Sequence, residues 1–107
     1  MKTLQLLGLG NERDRSYFIL EKSNLFTKYF NEILKKLNIS DQVYDKDYDR
    51  ELASIEEREN EIDHFKNKSF DIDVIYTSNR IILLVRSDNT RLEQFKALIL
   101  AYAKMQE

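Results

Sequence analysis

The chain has 107 residues, of which 42% are hydrophobic and 34% charged, with a formal net charge of -2. This length suits one domain covering residues 1–107, and the near balance of charge excludes a global field that would hold a polyanion. The sequence has no cysteine, which excludes disulfides, thiolate metal ligands and a cysteine nucleophile.

The first part of the chain predicts a β-hairpin. Leu4–Leu9 and Ser16–Glu21 have the apolar and aromatic residues of short strands, and polar residues between them form the loop. The alternative is one long helix over Arg15–Leu37, but the aromatic and β-branched residues at positions 17–19 favour a strand. The charged residues 11–15 end the first apolar stretch too early for a signal peptide, so we expect a cytoplasmic protein without membrane contact.

A helix is predicted over Leu25–Leu37, after an N-cap at Ser23-Asn24. Its apolar residues recur at helical spacing and form one face, whereas lysines and Glu32 occupy the other. The residues of the apolar face are Phe26, Tyr29, Phe30, Ile33, Leu34 and Leu37.

A second, highly charged helix is predicted from about Asp47 to Lys66. Its apolar positions form only a narrow stripe, close to heptad spacing. Such a helix packs lightly on its own domain or pairs with another helix. The stripe contains Tyr48, Leu52, Ile55, Ile62 and Phe65.

The last third of the chain predicts a hairpin over Phe70–Val85, with a turn at Ser78-Asn79, followed by a helix over Thr90–Met105. The return strand Ile81–Val85 is apolar at consecutive positions, which is typical of a strand buried on both faces. Thr90 and Glu93 have the spacing of a capping box at the start of the helix. The predicted buried face of this helix contains Leu92, Phe95, Leu98, Ile99, Tyr102 and Met105.

These elements define an α+β fold in the order ββααββα, with a mainly antiparallel four-stranded sheet. The amphipathic helices Leu25–Leu37 and Thr90–Met105 are expected on one face of this sheet. The other face is expected to pack against the long charged helix between the two ββα-like units or against a second subunit. Residues 18–37 align without a gap on residues 83–102; an internal repeat would explain this match, and so would the helical period that both stretches share.

Two features with the appearance of chemical sites have simpler explanations. Asp45, Asp47, Asp49 and Glu56 have the spacing of an EF-hand loop, but Arg50 stands where that loop needs glycine, so we interpret them as an acidic helix start. His64, the single histidine, has no base or nucleophile placed beside it by sequence and is interpreted as a surface side chain. We therefore predict no catalytic residue, no metal ligand and no cofactor.

The function predicted from these observations is that of a non-catalytic protein-interaction module. The module could be a small regulator, an adaptor, or an inhibitor or immunity-type protein. We expect a protein partner or a second copy of the chain, as in a homo-oligomer, to cover the exposed apolar surface. The predicted interaction residues are Leu52, Ile55, Ile62, Phe65, Ile82 and Leu84.

The alternative prediction is a nucleic-acid-associated accessory protein. Arg80, Arg86 and Arg91 lie near the second hairpin and the last helix, and the strand aromatics Tyr17, Phe18 and Tyr76 offer surfaces on which bases could stack. Acidic residues are equally dense and no RNA-recognition pattern is present, which favours protein over nucleic acid as the partner.

Overall fold

The computed structural model describes residues 3–12, 15–39 and 61–105. These residues form six strands and two helices: β1 (Leu4–Glu12), β2 (Arg15–Glu21), α1 (Phe26–Lys36), β3 (Glu61–Lys66), β4 (Asp71–Tyr76), β5 (Arg80–Arg86), α2 (Asn89–Tyr102) and β6 (Ala103–Met105). The strands make one sheet in the order β3-β4-β5-β2-β1-β6. Neighbouring strands are antiparallel, except that β1 and β6 are parallel.

The predicted α+β class is confirmed, but the predicted four-stranded antiparallel sheet is too small. Its four strands are present as β1, β2, β4 and β5, and the structure adds a strand at each edge. The prediction of a helix up to Lys66 is wrong for residues 61–66, because these residues pair with β4 as an edge strand. The remainder of that predicted helix, including Leu52 and Ile55, lies outside the described residues.

The last helix ends three residues earlier than predicted. Ala103 has extended backbone angles, φ -130° and ψ 146°, and pairs with Leu4 in the parallel β1–β6 contact. The prediction that Met105 is buried is therefore wrong, since Met105 is 45% exposed. Pairing with β6 satisfies backbone groups along the edge of β1, and this gain depends on a strand that lies about 100 residues away in the chain.

The start of α2 also differs from the prediction. The N-cap is Asp88 and not Thr90, and the Asp88 carboxylate accepts a hydrogen bond of 2.8 Å from the backbone N–H of Arg91. This bond satisfies one of the four N–H groups that lack a partner within the helix. The bond from Arg91 N–H also lowers the pKa of Asp88 below its ordinary value, because it stabilises the charged carboxylate.

We predict that Asp88→Ala lowers the urea midpoint of unfolding at pH 7, because α2 loses its cap. A lowered folded-state pKa contributes stability above the unfolded-state value of about 3.9, and this contribution is lost as pH falls through the folded-state pKa. The difference in midpoint between wild type and Asp88→Ala should therefore shrink below about pH 4. Asp88→Asn is the matched control, because its amide oxygen can still cap the helix but does not titrate. An unchanged difference at acid pH would contradict the assignment.

Both described helices pack on the same face of the sheet, here called the first face. On α1, Phe30 packs edge-on against Phe65 of β3 with ring centroids 5.3 Å apart. On α2, Phe95 packs against Phe18 of β2 at 5.4 Å. The core between helices and sheet contains the fully buried side chains of alternate strand residues, among them Leu6, Phe18, Leu20, Ile72, Val74, Ile81, Leu83 and Val85.

The centre of the sheet has an approximate twofold arrangement. β1-β2-α1 and β4-β5-α2 are two ββα units that meet where β2 pairs antiparallel with β5. Phe18 and Leu83, which begin the two similar stretches of sequence, are direct cross-strand partners. The aligned residues Phe30 and Phe95 are both buried in the core. The two sequence-similar units therefore occupy corresponding positions on either side of the sheet centre.

A β-bulge in β1 explains how its leucines reach the core. The register with β2 shifts between Leu6 and Gly8, which inserts one extra residue. Strict alternation would place Leu6 and Leu9 on opposite faces, since they are three residues apart. The bulge reverses the alternation, so that both Leu6 and Leu9 pack on the first face.

Candidate functional site

The face of the sheet opposite the helices, here called the second face, has its side chains in three rows that cross the strands. Cross-strand pairing defines each row, because directly paired residues project to the same side of a sheet. The isoleucine row consists of Ile62, Ile75, Ile82 and Ile19 and ends at Gly8. The mixed row consists of His64, Asp73, Leu84, Tyr17 and Gly10. The charged row contains Lys66, Asp71, Arg86 and Arg15.

The isoleucine row is a continuous apolar strip across four strands. Ile75 in its interior is 1% exposed, yet it does not belong to the hydrophobic core cluster of the first face. Ile62, Ile82 and Ile19 are half-buried. The second face therefore carries apolar surface of its own, on the side of the sheet without a described helix.

The return strand β5 is buried unequally on its two faces. Ile81, Leu83 and Val85 are fully buried on the first face, whereas Ile82 and Leu84 on the second face are half-buried. The consecutive apolar residues of β5 therefore lie on one fully buried face and on one face that is only partly buried. The sequence pattern predicted apolar character on both sides of β5, and the structure locates the less covered side on the isoleucine and mixed rows.

Gly10 allows Tyr17 to lie flat across β1. A Cβ atom built on Gly10 would come within 2.6 Å of the Tyr17 hydroxyl oxygen and 2.7 Å of the ring carbon that bears it. The absence of a side chain at Gly10 therefore makes room for the Tyr17 ring. Gly8 likewise ends the adjacent isoleucine row. The isoleucine row and the mixed row therefore both end on β1 at a glycine, and β1 contributes no side chain to either row.

Three potential metal ligands meet at the other end of the second face, on β3 and β4. The Nε2 atom of His64 lies 2.5 Å from Oδ1 of Asp71 and 3.8 Å from Oδ1 of Asp73. The side chain of Asp73 is 4% exposed, that of His64 12% and that of Asp71 29%. One imidazole nitrogen and two carboxylates, largely removed from water, can bind a proton or a divalent cation.

The turn between β3 and β4 sets the register that brings these side chains together. The Asn67 side-chain oxygen accepts hydrogen bonds from the backbone N–H groups of Ser69 and Phe70, both at 2.8 Å. Its amide nitrogen donates to the carbonyl of Leu37 at 2.9 Å, just beyond α1. Asn67 therefore anchors the hairpin to α1 in the register that places His64 directly opposite Asp73.

Asp63 precedes His64 on β3 but projects to the first face, where it meets a different partner. The hydroxyl of Tyr76 donates a hydrogen bond of 3.0 Å to its carboxylate. Burial, together with this hydrogen bond, raises the pKa of Tyr76 well above its ordinary value. Tyr76 is therefore a neutral donor at physiological pH, and Asp63 and His64 take part in separate interactions on opposite faces of β3.

The predicted interaction residues do not form one surface. Ile62, Ile82 and Leu84 share the second face, and Ile62 and Ile82 flank Ile75 in the isoleucine row. Phe65 lies on the first face, packed against Phe30 of α1. Leu52 and Ile55 lie outside the described residues, as do Asp45, Asp47, Asp49 and Glu56 with their EF-hand-like spacing.

The structure does not bring the three predicted nucleic-acid-binding arginines together. Arg80 and Arg86 begin and end β5, about 20 Å apart at the usual rise of a strand. Arg91 is on α2, where it makes an ion pair with Asp88. The strand aromatics are also separated, since Phe18 is fully buried on the first face and Tyr17 lies on the second.

Sequence reasoning missed the grouping of His64 with Asp71 and Asp73. Asp71 and Asp73 alternate along β4 and so share a face, which the sequence does indicate. His64 joins them only because residues 61–66 form a strand. The alternation of Ile62, His64 and Lys66 with Asp63 and Phe65 was the available signal, but the charged segment before it favoured a helix.

Comparisons with protein-family models, curated protein sequences and solved structures found no match for this chain. Among the residues that the structure describes, no helix is both long and apolar enough to cross a bilayer. The second face and its His64–Asp71–Asp73 cluster are therefore the features on which a functional proposal can rest.

Proposed function

We propose that this protein is a non-catalytic protein-interaction module that binds a second copy of itself through the second face of its sheet. The observation that supports this proposal is the isoleucine row, which places apolar side chains across four strands opposite the described helices. Apolar strips of this kind, bordered by charged residues, are typical of association surfaces. A role as a small regulator, adaptor or inhibitor in the cytoplasm stays a prediction from the sequence.

The order of residues along the rows suits a symmetric contact. A twofold axis that runs between β4 and β5, parallel to the strands, would place the half-buried Ile62 of one copy over Ile19 of the other. Ile82 would lie over Ile75, which is only 1% exposed and contributes little surface itself. In the charged row the same axis would place Asp71 over Arg86 of the second copy, where the charges are opposite, and Lys66 over Arg15, where both are positive. Each contact then occurs twice, as a twofold dimer requires. The apolar match along the isoleucine row is therefore the argument for a second copy, and the charged row contributes one favourable and one unfavourable pairing.

The proposal predicts that Ile82→Asp converts a dimer to a monomer. Ile82 lies next to Ile75 in the isoleucine row, and a carboxylate there would be placed unpaired in an apolar contact. We expect the dissociation constant of the dimer to rise by about 100-fold or more, since burial of an unpaired charge costs several kcal/mol. Molar mass from light scattering over a dilution series measures this change. Ile82→Thr, which retains a strand-forming side chain, should act in the same direction with a smaller effect.

The matched control is Leu100→Asp. Leu100 is 43% exposed on α2, which packs on the first face, so this variant adds the same charge outside the proposed contact. It should retain the mass of the wild type. Wild-type protein that is monomeric throughout the dilution series, or a dimer that persists in folded Ile82→Asp, would refute the proposal. If a different protein co-purifies and binds this face, that protein and not a second copy is the partner.

A further inference from the structure

We propose that His64, Asp71 and Asp73 form a binding site for a divalent transition-metal ion such as Zn²⁺. Each residue offers one ligand atom, and these three atoms all lie within 4.8 Å of one another. One imidazole nitrogen and two carboxylate oxygens are a ligand set that suits zinc and its neighbours in the first transition series. The proposal goes beyond self-association, because all three ligands belong to one chain.

The backbone already holds the three ligands on one side of a rigid sheet. His64 and Asp73 are direct cross-strand partners, and Asp71 lies two residues from Asp73 on the same strand. Their Cβ atoms therefore project from the same face in a triangle. Bonds of about 2.0–2.2 Å at tetrahedral angles require ligand atoms about 3.3–3.6 Å apart. The separations of 2.5 Å and 3.8 Å from His64 Nε2 lie on either side of this range, so small side-chain rotations can satisfy it.

The charges around the cluster are consistent with a bound dication. Two carboxylates and a neutral imidazole carry a charge of -2, which a dication would neutralise; this matters because the Asp73 side chain is only 4% exposed. Arg86 lies on the far side of Asp71, with Nη1 4.0 Å from Oδ2, whereas Oδ1 points to His64. Arg86 can therefore orient the Asp71 carboxylate from outside the ligand shell without occupying its ligating oxygen.

Three protein ligands leave one position of a tetrahedral ion for water or another ligand. His64 and Asp71 retain some exposure, so in a single chain this position is accessible from the second face. Lys66, Arg86 and Arg15 are positively charged residues of the charged row, and their charge opposes a dication. Binding requires a deprotonated imidazole nitrogen, because a proton and the metal ion compete for the same lone pair. Zinc affinity is therefore expected to decrease as the solution becomes more acidic.

Isothermal titration of the full chain with ZnCl₂ at pH 7.4 tests the site. We expect one Zn²⁺ per chain and weaker binding at pH 5.5. His64→Ala and Asp73→Asn should each weaken binding by about 100-fold, more than the loss of a typical outer-shell partner. Asp71→Asn, at the most exposed of the three positions, provides a ligand variant that is less disruptive to the fold. Co²⁺ in place of Zn²⁺ should give the visible absorption of a four-coordinate ion in the wild type and not in these variants.

Glu61→Gln is the matched control, because it removes an exposed carboxylate from the same strand. This variant should bind Zn²⁺ as the wild type does. Circular dichroism of each variant establishes that it is folded before titration. Unchanged affinity in folded Asp71→Asn and His64→Ala would mean that the ion binds elsewhere on the chain and would overturn the proposal. The absence of any Zn²⁺ binding by the wild type would overturn it as well, whatever the state of association.

Discussion

Replacement of Phe95 by alanine is expected to lower the free energy of unfolding by about 3–5 kcal/mol. Phe95 is completely buried, and its ring lies 5.4 Å from that of Phe18 and 6.3 Å from that of Phe70. The substitution removes an aromatic side chain that joins α2 to β2 and to the start of β4, and the rigid sheet cannot collapse into the cavity. The higher helix propensity of alanine offsets only about 0.5 kcal/mol of this loss.

Urea unfolding followed by far-ultraviolet circular dichroism measures the effect. Leu100→Ala is the matched control on the same helix, because Leu100 is 43% exposed and its loss leaves no cavity. We expect its free energy of unfolding to change by less than about 0.5 kcal/mol. Similar losses in the two variants would mean that α2 does not pack on the first face through Phe95.

The second large effect is expected on the other side of the sheet. Ile75→Ala should lower the free energy of unfolding by about 2–5 kcal/mol, although Ile75 does not belong to the core cluster of the first face. The reason is that Ile75 is 1% exposed between its cross-strand partners Ile62 and Ile82. Truncation removes three carbon atoms from a site without access for water, which leaves a cavity.

Ile82→Ala gives the matched comparison, because the substitution is the same and the residue is the neighbour of Ile75 in the isoleucine row. Ile82 is half-buried, so its truncation removes less surface from contact, and we expect about half the loss or less. Urea unfolding at a concentration where the protein is monomeric compares the two. An equal loss at both positions would contradict the burial that separates them.

The two pairs of substitutions together distinguish the roles of the two faces. The first face holds the helices, so its residues should affect stability at every protein concentration. Ile82 on the second face should affect stability less, but association more, if copies of the chain meet there. A concentration-dependent unfolding midpoint in the wild type that disappears in Ile82→Asp would connect the two measurements.

Much of the central fold could be predicted because its signals are local. The apolar spacing of Phe26, Phe30, Ile33 and Leu34 predicts α1, since residues three and four apart share a face of any helix. The alternation in Phe70–Tyr76 predicts β4, and the polar turn at Ser78-Asn79 joins it to β5. Each of these patterns lies within about a dozen residues. Over that distance the geometry of a helix or strand by itself determines which side chains share a face.

The edge strands and the His64–Asp71–Asp73 cluster could not be predicted in this way, because they depend on contacts between segments that are distant in sequence or on the register of paired strands. β6 is extended because β1 offers it an unpaired edge, although the preceding residues are helical. Asp88 caps α2 although the sequence pattern around Thr90 also fits a cap. The choice between such local alternatives depends on which one satisfies backbone groups, in the sheet for β6 and at the helix start for α2.

The sequence by itself determined the α+β class, the two hairpin strands on each side of the centre and the apolar character of both faces of β5. The tertiary structure alone decided that residues 61–66 and 103–105 are edge strands, and that His64 stands beside Asp71 and Asp73. The physical reason is that the periods of helix and strand are properties of the chain, whereas cross-strand register arises only when hydrogen bonds and buried side chains from separate segments are satisfied together.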